Sequence, residues 1–335
     1  MKKKTKVLVI GGGTGTFTVL TGLKKYQELD LSVIVSMVDD GGSNRVIRDE
    51  FGLLPTSDIR QCIVALSQER PGDLLRKLFT YRYSVGTGIA GMTFGNLFMA
   101  ALADIYADQE TAIKKTCEFL DVKGKIIPVT FDKTHLVARY ENGKQVMGEH
   151  LIDEPNDDLA KYKIVELEVF PQSTANPTAA KEIMESDYIV FGPGDLYTSI
   201  LPNILIPGIA EAVKKSKSKK LFVVNLMTKY GQTNKYKSSD FLKELEKYLG
   251  RDVIDYCLVN KSKAFPKGIL KRYKAEKAIP VADNLKSSKK TKVVRADFIS
   301  NEVYEKPESD VLKRSLIRHD PDKLAKAILS IVNLN

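Results

Sequence analysis

Tryptophan is absent from this sequence, and cysteine and histidine each occur only three times. Cys62, Cys117 and Cys257 stand far apart, with no Cys-x-x-Cys pair and no zinc-ligand spacing. No disulfide framework or zinc-binding motif is therefore expected, which fits a reducing compartment. His135, His150 and His319 are equally scattered, and neither H-E-x-x-H nor G-x-S-x-G occurs. No run approaches the ~20 apolar residues of a membrane span. The apolar run at residues 7–10 is too short for a signal-peptide core, so a cytoplasmic protein is expected. The net charge is +10, carried largely by dispersed lysines at residues 2–4, 214–220 and 286–292. Arginines and stacking aromatics do not interleave there, so no nucleic-acid tract is expected.

The clearest positive signal lies near the start of the chain. An apolar β-branched run, KVLVI, ends at Gly11, Gly12, Gly13, Thr14 and Gly15, and Phe17, Leu20 and Leu23 follow at helical spacing. A strand, a glycine turn and a helix predict a doubly wound α/β fold with an anion, usually a phosphate, at the helix N-terminus. The dinucleotide fingerprint G-x-G-x-x-G is incomplete, because Thr18 stands where its third glycine would be. No G-K-[ST] follows the turn, so it is not a P-loop.

A second strand is predicted over residues 31–38, ending in Asp39, Asp40, Gly41, Gly42 and Ser43. Asp39 takes the place where a dinucleotide fold binds a ribose hydroxyl; it could equally hold a base, a sugar or a metal. Ser57 or Asp58 caps a helix carrying Ile59, Ile63 and Leu66, and Pro71 opens another. Residues 92–102 read as a buried apolar helix in which Asn96 either satisfies backbone groups or faces the crevice. From Lys125 the period changes to two. KIIPVTF, THLVARY, QVMGEHLI and KIVELEVF predict an inserted antiparallel subdomain or lid over residues 123–170. The α/β alternation returns at Pro177. The strand over residues 187–191 runs into a second glycine turn, with Gly192, Gly194, Thr198 and Ser199 at its end. Residues 283–292 read as a mobile polar loop, and a final helix runs to residue 332. The expected architecture is one α/β domain over residues 1–335: a Rossmann-like, mostly parallel sheet flanked by helices, with an antiparallel β excursion. No local pattern places a catalytic residue or a set of metal ligands.

Five motifs occur in order: GGGTG, DDGGS, FGLLPTSDIRQCIVALS, FGNLFMAAL and FGPGDLYTSILPN. This series resembles the YvcK-type gluconeogenesis factors of the wider CofD-like family. The resemblance implies a homodimer that binds UDP-sugars, UDP-N-acetylglucosamine in particular, and acts on carbon metabolism, cell shape and cell-wall synthesis. It carries two more residues into the site, Tyr273 of KRYKAE and Arg318 of IRHDP. The CofD branch implies the alternative, a transferase that moves a phospholactyl-type group from a GDP carrier to a deazaflavin with magnesium. DDGGS and GPGDLYTS favour the first branch, for which no cofactor is firmly implied. The chain departs from the family pattern twice. Asn44-Arg45 lacks a glycine after DDGGS, and Thr56-Ser57 replaces Pro-Gly before Asp58.

Overall fold

A strand such as VLVI, apolar on both faces, needs cover on both sides, and a parallel sheet between helical layers provides it. The computed structural model describes residues 3–68, 74–302 and 315–332. The chain opens with β1 (Thr5–Gly11), α1 (Gly13–Leu23) and β2 (Leu29–Val35). Four further helices, α2 (Gly42–Phe51), α3 (Ser57–Leu66), α4 (Leu74–Thr80) and α5 (Phe94–Tyr106), precede α6 (Gln109–Phe119) and β3 (Lys125–Pro128). The excursion contains β4 (His135–Tyr140), β5 (Gln145–Met147), α7 (Glu149–Asp153), α8 (Asp157–Ala160) and β6 (Ile164–Phe170). The layered pattern resumes with α9 (Pro177–Glu185), β7 (Tyr188–Phe191), α10 (Leu201–Ile204), α11 (Ile209–Lys215) and β8 (Lys219–Val223). The described chain ends with α12 (Ser238–Leu249), β9 (Tyr256–Asn260), α13 (Lys267–Ala275), β10 (Lys292–Ala296) and α14 (Pro321–Val332).

Seven strands form one sheet in the order β10-β9-β8-β7-β1-β2-β3, and every pairing in it is parallel. Alternate residues of β1 feed two cores. Leu8 and Ile10 join Ile189, Phe191 and Phe222 beneath α9 and α12, whereas Val7 and Val9 join Leu20, Ile63 and Ile328 beneath α1, α3 and α14. From β1 the chain builds outwards through β2 and β3, then returns to the other side of β1 as β7. The carboxyl ends of β1 and β7 therefore flank the topological switch point, where open α/β sheets bind ligands.

The structure corrects several sequence expectations. KIIPVTF does not join the antiparallel excursion: its first four residues form β3, parallel to β2 at the sheet edge. The excursion's sheet has three strands in the order β5-β4-β6. QVMGEHLI is a strand only as far as Met147. Gly148 turns with a φ of 118°, and the next residues coil into α7. Helix α5 buries one face only, with Ile105 and Tyr106 exposed at its end. Residues 283–292 are fastened at several points rather than loose: Arg295 pairs with Asp283, Leu285 is buried, and Thr291 Oγ1 donates to the Ile254 carbonyl. The helix start expected at Pro71 lies outside the described residues. No single helix among the described residues is long and apolar enough to cross a membrane.

Candidate functional site

The two glycine turns meet at the switch point. Gly12 stands at the N-cap of α1, and as a glycine it offers no side-chain hydrogen bond to the N–H groups of the first turn. Gly13 has a φ of +63°, which favours glycine. A Cβ on Gly15 would lie 1.9 Å from the Pro193 carbonyl oxygen, and one on Gly12 would lie 2.2 Å from Asp58 Oδ2. Glycine is thus what lets the β7 turn and Asp58 close against the β1 turn. Asn225 Nδ2 steadies the second turn by donating to the Gly194 carbonyl at 2.8 Å.

Around these turns lies a cleft of about 580 Å³. Its lining includes Gly12, Gly13, Thr14, Gly15, Asp39, Gly194, Thr198, Tyr273 and Arg318, all expected from sequence. Gly11 and Gly192 lie behind the surface, where a Cβ on Gly11 would meet Thr16 and the Gly192 backbone. Asp40 faces the excursion instead of the cleft, and its Oδ1 accepts the His150 N–H at 2.7 Å. Ser43 is in α2, and its side chain lies outside the described residues. Asn96 is fully buried; its Oδ1 accepts from Arg60 Nε at 3.0 Å and its Nδ2 donates to Ser57 Oγ at 3.2 Å. It therefore aims the cleft-lining Arg60 and does not itself reach the cavity.

Tyr273 is only 9% exposed and packs with Leu226, Met227 and Ile317. Its hydroxyl accepts the backbone N–H groups of Leu316 at 3.0 Å and Ile317 at 3.3 Å. It thereby holds the segment that carries Arg318, whose Nε donates to the Ser315 carbonyl.

The excursion supplies residues that sequence reasoning missed. Helix α7 brings Glu149 and Asp153 into the cleft wall, and the segment after β8 brings Lys229. Lys229 Nζ bridges Asp153 Oδ1 at 2.5 Å and Asp195 Oδ2 at 2.7 Å. Asp153 also accepts from Thr198 Oγ1 at 2.8 Å and Gln232 Nε2 at 3.0 Å, so the Thr198 hydroxyl donates to protein. One available signal was position: Asp195 and Lys229 follow the carboxyl ends of β7 and β8, where this fold places ligand groups.

The carboxylates of the wall are unequal. Burial raises the Asp39 carboxyl, and the Asp58 charge adds to this; the Gly41 N–H and the Asn44 amide oppose it, leaving a pKa of about 7. Glu149 is raised by burial and by Asp39 and Asp153. Burial acts to raise Asp153 too, but the charge and hydrogen bonds of Lys229 outweigh it and hold Asp153 below the usual range. Asp195 stays raised by burial despite Lys229, with Asp153 adding to the effect.

The Asp39 shift has a sign in stability. In the unfolded chain this carboxyl titrates near the ordinary value of about 4. The native state therefore binds more protons between that pH and about 7. Its contribution is complete below the unfolded pKa and is lost as pH rises through the folded one. Melting temperature is expected to fall between pH 5 and 8, and to fall less in Asp39→Asn. Identical pH slopes for the two proteins would contradict the assignment.

The described residues do not form an all-protein cage for the magnesium implied by the transferase branch. Among the described residues no group of three or more His, Cys, Asp or Glu side chains could hold a metal. Both Asp39 oxygens already accept hydrogen bonds, from the Gly41 N–H and the Asn44 amide. Asp40 is engaged by His150.

The sequence profile of the 2-phospho-L-lactate transferase CofD family matches residues 7–299. The chain belongs to the CofD family. Within the CofD family it is similar to the gluconeogenesis factor of Bacillus subtilis, 35% identical over 334 residues and spanning 99% of each chain. A relative from Thermotoga maritima is 40% identical over 323 residues, which cover 96% of this chain and 98% of that one. The crystal structure of a Bacillus halodurans protein of the UPF0052 family superposes with a TM-score of 0.86 at 33% identity, covering 98% of this chain and 100% of that one. The CofD-family match takes in β1 from Val7 onward, the other strands of the main sheet, and the walls of the cleft as far as Ile299.

Proposed function

We propose that the cleft binds a nucleotide sugar of the UDP-N-acetylglucosamine class. In this reading the protein is a cytoplasmic, homodimeric regulator linked to carbon metabolism, cell shape and cell-wall synthesis. The observation that carries the reading is the N-terminus of α1, with glycine at its cap, meeting the Gly194 turn at the switch point, inside one cleft. A helix N-terminus with close glycine backbone suits a diphosphate. Arg60 and Arg318 line the same cleft and can add charge-assisted hydrogen bonds. Asp39 and Glu149 suit sugar hydroxyls, which can donate to a carboxylate or accept from a protonated carboxyl. The cleft volume of about 580 Å³ lies within the ~300–1,000 Å³ range of small-ligand pockets.

Regulation follows if the ligand binds two conformations with different affinity. The element placed to differ is α7, which the ion pair of Asp153 with Lys229 and the Asp40–His150 bond hold at the cleft wall. The test is thermal unfolding with UDP-N-acetylglucosamine, UDP-glucose, GDP, NAD and FAD. A UDP-sugar at a hundred times its Kd is expected to add about 2.7 kcal/mol of stability. Arg318→Ala is expected to weaken UDP-sugar binding about tenfold or more. Tyr273→Phe, which strips the acceptor from Leu316 and Ile317, should weaken it less. A response to GDP with magnesium and none to UDP-sugars would overturn the reading in favour of the transferase.

A further inference from the structure

Helix α5 is apolar nearly all round, with Asp104 its one charged residue. A helix of that composition is ordinarily enclosed on every side. Its inner face is enclosed: Gly95, Asn96, Met99, Ala100 and Ala103 are buried. Its outer face is open. Phe94, Phe98, Ala101 and Ile105 share that side, within about 60° of one another on the helix. Phe94 and Phe98 are half-buried, Ala101 is exposed, and Ile105 is 71% exposed. Phe119 of α6, 51% exposed, stacks on Phe98 with ring centroids 5.3 Å apart. Buried Phe79 of α4 packs against both Phe94 and Phe98, so the rings are held in place without a partner. Most of the exposed large apolar side chains among the described residues fall within residues 51–119, the stretch built around this helix.

The pattern selects what covers the face. The four stripe residues stand four, three and four positions apart, so the stripe reads the same from either end. Two such helices crossing antiparallel, about a two-fold axis beside the Met99–Ala100 peptide, set Phe94 against the partner's Ile105 and Phe98 against the partner's Ala101. Each large ring then meets a smaller side chain, the alternation that lets facing layers interdigitate. A parallel crossing would set ring on ring and leave a gap between the alanines. A face that matches its own reverse is what an isologous interface requires. A lipid surface fits less well: interfacial helices set lysine or arginine beside their apolar face, and α5 has neither.

We propose that the outer face of α5 is the core of an isologous interface between two copies of this chain, with the two helices crossing antiparallel. This inference rests on the homodimer of the reading above and supplies its contact surface. The interface lies on the helix whose buried Asn96 aims Arg60 into the cleft.

The test is sedimentation equilibrium over the micromolar range, with circular dichroism as the check of folding. The wild-type protein is expected to be a dimer. Ala101→Glu sets a carboxylate against the partner's Phe98, twice in each dimer, and should raise the dimer dissociation constant about a hundredfold or more. Ile105→Glu should do the same against the partner's Phe94. Both residues are exposed in a single copy, so each variant should remain a folded monomer. Mixing Ala101→Glu with Ala101→Lys should restore dimers, because the two positions lie beside the axis. Mixing Ile105→Glu with Ile105→Lys should not, because an antiparallel crossing sets those positions about 16 Å apart along the helices. Rescue of the second mixture, or no rescue of the first, overturns the antiparallel crossing. A dimer that persists in folded Ala101→Glu and Ile105→Glu proteins overturns the inference and leaves the homodimer standing on another surface. A wild-type protein that stays monomeric across the range overturns both. Flotation of that monomer with phosphatidylglycerol vesicles, abolished by Ala101→Glu, would then assign the face to lipid.

Discussion

Replacing Lys229 by methionine is expected to destabilise the protein by about 2 kcal/mol at pH 7.5 and to loosen the excursion from the cleft. Lys229 is the cation between Asp153 and Asp195, at 2.5 and 2.7 Å. Its burial acts to lower its pKa, yet the two carboxylates hold it well above the ordinary lysine value, so it is charged at neutral pH. Removing one partner of a fully buried pair costs about 3–5 kcal/mol, because the remaining charge is uncompensated. Here the three side chains keep 25–35% of their area open, so water screens part of that loss and the smaller figure applies. The deficit has a pH signature. Without Lys229, burial pushes both carboxyls above their unfolded values, and stability is then lost as pH rises through the new folded pKa. Urea unfolding at pH 5 and pH 8 should show a larger gap between Lys229→Met and wild type at pH 8. A gap that is absent, or larger at pH 5, would refute the account.

The other large effect is expected at Gly15. An alanine Cβ there would stand 1.9 Å from the Pro193 oxygen and 2.4 Å from its carbonyl carbon. Both are backbone atoms, so no rotamer change relieves the clash, and the two turns must separate. Overpacking of this kind costs about 3 kcal/mol. The functional loss should exceed the structural one, because the separation widens the cradle at the N-terminus of α1. Gly15→Ala is expected to remove the nucleotide-induced rise in melting temperature even where the protein remains folded. Gly268→Ala is the control: a Cβ at that position would meet no atom within 4 Å, and alanine is the better helix residue. It should leave binding intact and stability equal or slightly higher. A Gly15→Ala protein that binds like wild type would show that the turns do not form the site.

The sequence makes legible what local chemistry specifies. Close backbone approach demands glycine, so the turns at Gly12 and Gly194 stand out as patterns even without their contact. Alternation around Lys125 is also real, but period alone cannot say which sheet a strand joins, and β3 goes to the parallel one. Helix α7 is hidden because QVMGEHLI can be read as a strand, and only the positive φ of Gly148 ends it. With α7 hidden, Glu149 and Asp153 cannot be placed.

The two departures from the family pattern lie apart in sequence and touch in the fold. Asn44 Oδ1 accepts from the Ser57 N–H at 3.2 Å and from Ser57 Oγ at 2.9 Å, while its Nδ2 donates to Asp39 at 2.5 Å. Likewise Tyr273 and Arg318, which the family resemblance offers as two separate contacts, form one unit through the Leu316 and Ile317 backbone. Such pairings span long stretches of chain and leave no local trace.

Helix α14 packs so tightly on α1 that a Cβ on Gly22 would fall 2.2 Å from the Pro321 oxygen. The helix that follows the first glycine turn is thus buried by a segment from the far end of the described residues. The cradle at residues 12–15 and the opposite wall at residues 315–319 can face each other only after that docking. Contacts of such long range form late in folding. A chain in which α14 has not docked therefore carries its glycine turn without the wall that completes the cleft, and a probe that needs both walls would report that the molecule has closed.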